Sequence, residues 1–157
     1  MLFQFQNYLT IENIYFWSNL LILPFWITLI IIPNSLVNKI FVNSIIIPSA
    51  LASAYVYCVY QVFLSGENLV DIFNLYLNLD SLYTLFATES FLIIFWLHFL
   101  AINLFLGSWV SSEGMKYSIP RSITFIPLLF VYFSGPVGLV LFWLIRIFYA
   151  KKIRLHD

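Results

Sequence analysis

The stretch FWLHFLAINLFLGSW, residues 95–109, carries one imidazole and one carboxamide inside a run otherwise apolar enough for lipid. An unpaired polar side chain buried in an apolar medium costs a few kcal/mol, so His98 and Asn103 need a reason to be there. An ionisable group at membrane depth is a functional candidate by default. His98 is also the one group in the apolar runs whose ordinary pKa suits both proton donation and proton abstraction. Two readings stay open for it: acid–base chemistry, or a neutral imidazole donating to a carbonyl or hydroxyl of a neighbouring helix. At about 100° per residue, His98 and Asn103 point about 140° apart. They cannot form one dyad on a single helix stripe, although both can border a cavity between helices. Asn103 likewise reads either as a ligand contact or as a hydrogen bond that glues helices together.

The elements that hold these residues follow from composition. The chain of 157 residues is 62% hydrophobic and 9% charged, with a mean hydropathy of +0.96, where a soluble domain carries about 25% charged residues. This is a membrane protein, and its length suits one membrane domain, residues 1–157. Four charge-free runs, bounded by Glu12, Lys39, Glu67, Glu89, Glu113, Arg121 and Arg146, exceed the about 20 residues that a crossing helix needs. Spans are expected near 14–32, 42–63, 90–110 and 122–148. Backbone groups in lipid must satisfy one another, and runs this long without alternation do so as helices. Between the second and third runs, polar residues recur at 71, 74, 78, 81, 84 and 88. That spacing predicts an amphipathic helix near 69–87 lying in the membrane interface. The expected fold is all-α: four transmembrane helices plus one interfacial helix.

The fourth run, RSITFIPLLFVYFSGPVGLVLFWLIR, holds Pro127 and Pro136, each of which removes a helical hydrogen bond; Pro136 leaves the carbonyl of Tyr132 without its usual partner. Gly135 and Gly138 make a small-residue face that admits a neighbouring helix or a flat ligand. Spans three and four are expected to touch through Gly107 and that face. With four spans the termini share one side with Arg146, Lys151, Lys152 and Arg154, against Lys39, Lys116 and Arg121 on the other. The basic tail then places both termini on the cytoplasmic or stromal side of a bacterial inner or plastid-type membrane.

Several classes are excluded or disfavoured. Net charge is zero and no basic run precedes the tail, so nucleic acid is not an expected partner. Two histidines, His98 and His156, are too few for a di-iron hydroxylase or desaturase. There is no phosphate loop, HExxH pair, cysteine–histidine cluster or nucleophile elbow, and no metal or cofactor is called for. The lone Cys58 forms no internal disulfide. The N-terminus lacks the features of a cleaved signal peptide. Aromatic residues reach 20%, a lining suited to a long, rigid, apolar ligand such as a polyene. Expected partners are membrane lipid, such a polyene, and an oligomer or membrane-complex partner.

WLHFLAINLFLGSW (96–109) followed by IPLLFVYFSGPVGLVLFWLIR (126–146) resembles the abscisic-acid-deficient-four-like family. These are small membrane proteins of plants, algae and bacteria whose plant members are required for neoxanthin formation. Trp96, His98, Leu100, Ala101, Leu104, Phe105, Gly107, Trp109, Pro127, Gly135, Pro136, Gly138, Leu139 and Arg146 fit the family pattern. SNLLILPFWITLIIIP (18–33) and LDSLYTLFA (79–87) are similar to its first span and to the segment before its third. Two positions depart: Asn103 and Ser108 stand where the family has Asp and Arg, so an acid and a base are both lost.

The resemblance implies carotenoid or xanthophyll metabolism, with an epoxy-xanthophyll isomerisation as the candidate reaction. An acid must help the epoxide open while a base takes a proton, and His98 is the catalytic candidate. Ligand-binding candidates are Trp96, Asn103, Gly107, Ser108, Tyr132, Gly135 and Gly138, around a groove between spans three and four. The alternative is a non-catalytic carotenoid carrier or a small structural subunit of a membrane complex. A transporter is weakly supported, since no repeat is visible.

Overall fold

The computed structural model describes residues 10–44, 46–64 and 77–151. Among them every regular element is a helix: α1 (Ile11–Ile31), a π turn (Asn38–Val42), α2 (Ile46–Leu64), α3 (Leu79–Phe86), α4 (Glu89–Lys116), α5 (Arg121–Phe133) and α6 (Gly135–Ala150). Three of these, α1, α2 and α4, are long and apolar enough to cross a membrane. The chain divides into two compact units, the first of Met1–Leu21 and Ser49–Leu100, the second of Ile22–Pro48 and Ala101–Asp157.

In the first unit, α1 begins where Thr10 caps it, its hydroxyl accepting the Asn13 N–H at 3.3 Å. Asn78 caps α3 in the same manner, accepting the Asp80 N–H at 3.0 Å. Both satisfy amide donors that a helix start leaves without partners. α3 leaves Leu79 and Tyr83 exposed, and Phe86 at its end packs edge-on against Phe91 and Phe95 of α4. Of the interfacial helix expected near 69–87, the structure therefore has Leu79–Phe86 in helix, while residues 69–76 lie outside the described segments.

In the second unit, the fully buried Asn38 organises the connection after α1. Its amide donates to the Ile32 carbonyl at 3.0 Å, and its oxygen accepts from Thr28 Oγ1 at 2.9 Å. At the end of α4 the chain reverses. Ser118 adopts a left-handed conformation (φ 52°), the Ile119 N–H donates to the Gly114 carbonyl and the Ser118 N–H to the Met115 carbonyl. This is a Schellman closure followed by Pro120, which cannot continue the helix.

The fourth apolar run is not one helix. It breaks at Ser134, whose carbonyl accepts from Val137 and Gly138 and so starts α6. Pro136 falls in the first turn of α6, where a missing N–H costs nothing. α5 runs back along α4, with Thr124 packed on Gly114. α6 then runs forward along α4: Gly135 meets Asn103, Phe142 meets Trp109 with ring centroids 5.5 Å apart, and Arg146 meets Glu113. α5 and α6 are thus an antiparallel hairpin. At 1.5 Å per residue its arms are about 20 and 24 Å long, short of the ~30 Å hydrocarbon core. The single helix expected over 122–148 is replaced by a fold-back, because the extended backbone at Ser134 interrupts the helix and Gly138 lets the two arms close.

Candidate functional site

The first unit holds His98. α4 buries Ile93, Ile94, Leu97 and Leu100, and it exposes Phe95, His98, Ile102 and Phe105 at complementary three-and-four spacing. His98 therefore looks outward, because Leu97 beside it takes the inward position. Its ring lies against Tyr55 of α2, with centroids 5.9 Å apart and planes at 50°. No described residue makes a hydrogen bond that would set its tautomer. Trp96 is a tie between helices: its indole N–H donates to Asn19 Oδ1 of α1 at 3.2 Å, and the ring stacks on Phe99.

Beside these residues the start of α1, the end of α2 and the start of α4 leave a cavity of about 330 Å³. Ile11, Ile14, Val62 and Ile93 supply apolar wall, while Tyr57, Cys58, Gln61 and Ser90 supply polar groups. A mostly apolar concavity with a few polar groups is the usual form of a small-molecule site. At this size it takes the end group of a long ligand, not the whole of one. Sequence reasoning missed Gln61 and Ser90, although each interrupts an apolar run at a helix end. Tyr55 lies one turn from Cys58, and His98 lies about 12 Å along α4 from Ser90.

The second unit holds the other candidates. Asn103 is buried, its Oδ1 pressed against Gly135 at the hairpin tip, and its Nδ2 has no hydrogen-bond partner. Gly107 receives the Trp26 ring of α1; a methyl group there would sit 2.5 Å from Trp26 Cη2 and 3.2 Å from Leu29 Cδ2. Trp26 in turn meets Tyr132 edge-on at 5.4 Å. Ser108 donates to Asn43 Oδ1 at 2.8 Å. Gly138 lies directly on the backbone of α5 at Val131 and Pro127. The expected contact of Gly107 with the Gly135–Gly138 face is therefore corrected. The glycines serve three different close approaches, since an aromatic side chain fills the space over Gly107 before any glycine can reach it.

A buried ionic cluster closes this unit. Arg146 has no exposed surface; its Nε donates to Glu113 Oε2 at 3.0 Å and a terminal nitrogen donates to the Tyr117 hydroxyl at 3.1 Å. The guanidinium also lies 4.8 Å from the centre of the Tyr117 ring, and Glu113 Oε1 is 3.5 Å from Lys116 Nζ. Sequence reasoning treated Glu113 as the border of an apolar run, and Arg146 as a border, a cation near the tail and a motif residue, without pairing the two. Pairing them requires knowing that α6 returns alongside α4.

Described residues that are helical throughout their regular elements, with three helices long and apolar enough to cross a membrane, define a small membrane protein. Residues 13–142 match the ABA DEFICIENT 4-like family, and the chain belongs to that family. Membership implies a carotenoid- and neoxanthin-related role. No curated protein and no solved structure matches the chain.

Proposed function

We propose that the chain binds a xanthophyll from the lipid phase, seating one oxygenated ring of the pigment in the cavity formed by α1, α2 and α4. The cavity carries this reading: it has the volume of a ring, apolar walls, and the Gln61, Ser90 and Tyr57 side chains among its lining to meet a hydroxyl or epoxide oxygen. The polyene would continue along the seam where Tyr55 of α2 meets His98 of α4. A ligand dissolved in the bilayer reaches that seam without any opening of the fold, because His98 and its neighbours Phe95 and Ile102 are already exposed. Dispersion and stacking against aromatic rings suit a rigid conjugated chain.

A second reading, isomerisation, is favoured by one observation: His98 lies against Tyr55, a phenol, where such a chain would pass. His98 would take the proton released as the cumulated double bond forms. The Tyr55 hydroxyl would protonate the epoxide oxygen as its C–O bond breaks, and the proton on His98 would restore Tyr55. Atoms balance, as an isomerisation requires.

The test is the carotenoid profile of host cells that make epoxy-xanthophylls, with and without the chain, together with the pigment that co-purifies with it. Unchanged pigments with xanthophyll bound to the purified chain support binding. A new isomer that disappears in His98→Gln supports isomerisation. Neither a bound pigment nor a changed profile overturns both.

A further inference from the structure

We infer that the chain crosses the membrane three times, that α5 and α6 are a re-entrant hairpin, and that its basic residues gather on one face against anionic phospholipid headgroups. The observations are the contacts of the hairpin with α4. Thr124, one turn into α5, packs on Gly114, and Arg146, near the end of α6, is bonded to Glu113 and Tyr117. Both arms of the hairpin therefore begin and end at the C-terminal end of α4. Its tip, Gly135, touches Asn103, which lies close to the middle of the 28-residue α4. A single straight helix would instead hold Arg121 and Arg146 about 37 Å apart, on opposite faces.

Non-helical backbone at membrane depth is tolerated only where protein buries it or it lines a cavity. At the tip the one non-helical residue, Ser134, is half-buried, and the hairpin itself satisfies its backbone: its N–H donates to the Phe130 carbonyl and its carbonyl accepts from Val137 and Gly138.

Three crossings re-sort the charges. Lys39 lies between α1 and α2, Lys116 and Arg121 between α4 and α5, and Arg146 and Lys151 at the end of α6. With α1, α2 and α4 crossing and the hairpin returning, all five share one face. Glu12 at the start of α1, Asp80 in α3 and Glu89 at the start of α4 share the opposite face. Among the described residues that second face has no Lys or Arg. Four crossings would divide these five cations three to two; three crossings leave them undivided. Lys39, Arg121 and Lys151 are exposed, as cations reaching a headgroup layer must be. Short connections rich in Lys and Arg stay on the cytoplasmic side, so the α6 end faces the cytoplasm and the start of α1 faces away from it.

The test is labelling of single cysteines by a membrane-impermeant maleimide in intact bacterial cells, in a Cys58→Ser background. The expected result is that Glu12→Cys and Asp80→Cys react from outside, while Lys39→Cys, Arg121→Cys and Lys151→Cys react only after the membrane is opened. Reaction of Lys151→Cys together with Glu12→Cys, with Arg121→Cys protected, overturns the hairpin. The same grouping with the opposite accessibility overturns the anionic-leaflet assignment. Because a cysteine variant can fail to insert, a fluorescent protein fused to the C-terminus of the unaltered chain gives a second readout. It fluoresces only in the cytoplasm, and a dark but membrane-integrated fusion sinks the orientation.

Discussion

The two compact units share α1 and α4 in sequence but differ in chemistry. The first, Met1–Leu21 with Ser49–Leu100, contains five acidic residues and neither Lys nor Arg. The second contains all seven Lys and Arg of the chain and two acidic residues. The first has a cavity and an outward-looking histidine. In the second, three glycines sit where a methyl group has no room, and an arginine is fully buried in an ion pair. Close backbone approach and a buried charge both demand one arrangement of neighbours. A cavity demands only that its walls stay apart. The second unit is thus built for a single packed state, and the first leaves space among its helices.

The largest effect should come from the ionic cluster. Glu113→Leu removes the carboxylate that holds the Arg146 Nε, and breaking a buried pair from one side costs about 3–5 kcal/mol. Thermal unfolding in detergent should show the loss, whereas an unchanged midpoint would mean that the cluster is solvated and the unit less tightly built than its geometry indicates.

The glycines come next, and their order is informative. At Gly138 an added methyl meets backbone atoms of α5, which cannot rotate away; overpacking of this kind costs about 1–3 kcal/mol. At Gly135 it meets the end of the Asn103 side chain, which can turn. Gly138→Ala should therefore lower the unfolding midpoint clearly more than Gly135→Ala. Equal losses would show that the tip is as rigid as the arms.

In the first unit, the contrast predicts function without stability. Gln61→Leu changes an exposed residue lining the cavity and should move stability by less than about 0.5 kcal/mol. Losing one hydrogen bond to a ligand oxygen is worth about 1 kcal/mol, so pigment retention through purification should fall several-fold. Full retention would place the ligand elsewhere. The smallest effect is a gain: Ser118 holds a left-handed φ of 52°, and Ser118→Gly should stabilise the turn by some 0.5–1 kcal/mol, read as a slightly higher midpoint.

Much of the architecture was legible before any coordinates. The borders of α1, α2 and α4 lie within a few residues of the expected spans, except that α4 runs on from 110 to Lys116. Its extension carries Glu113 and Gly114, residues that composition assigns to a loop but that meet Arg146 and Thr124 of the hairpin. The sites were less legible. Asn103 and the Gly135–Gly138 pair were recognisable as polar and small residues in apolar surroundings, yet their partners were not. A helix that is apolar all round has no amphipathic contrast to mark its inner face, so nothing local distinguished the stripe of Leu97 from that of His98.

The sequence by itself determined that the chain is helical and lives in a membrane, because a 62% hydrophobic chain with long charge-free runs can satisfy its backbone in lipid only through such helices. It also determined family membership, through motifs that are local strings of residues. The tertiary structure alone decided that 121–150 folds back instead of running on as one helix. Ser134, Gly135 and Pro136 permit either a kink or a reversal. The choice is made by distant partners: Asn103 against the tip, Trp109 against Phe142, and Glu113 holding Arg146 at the end where the hairpin began.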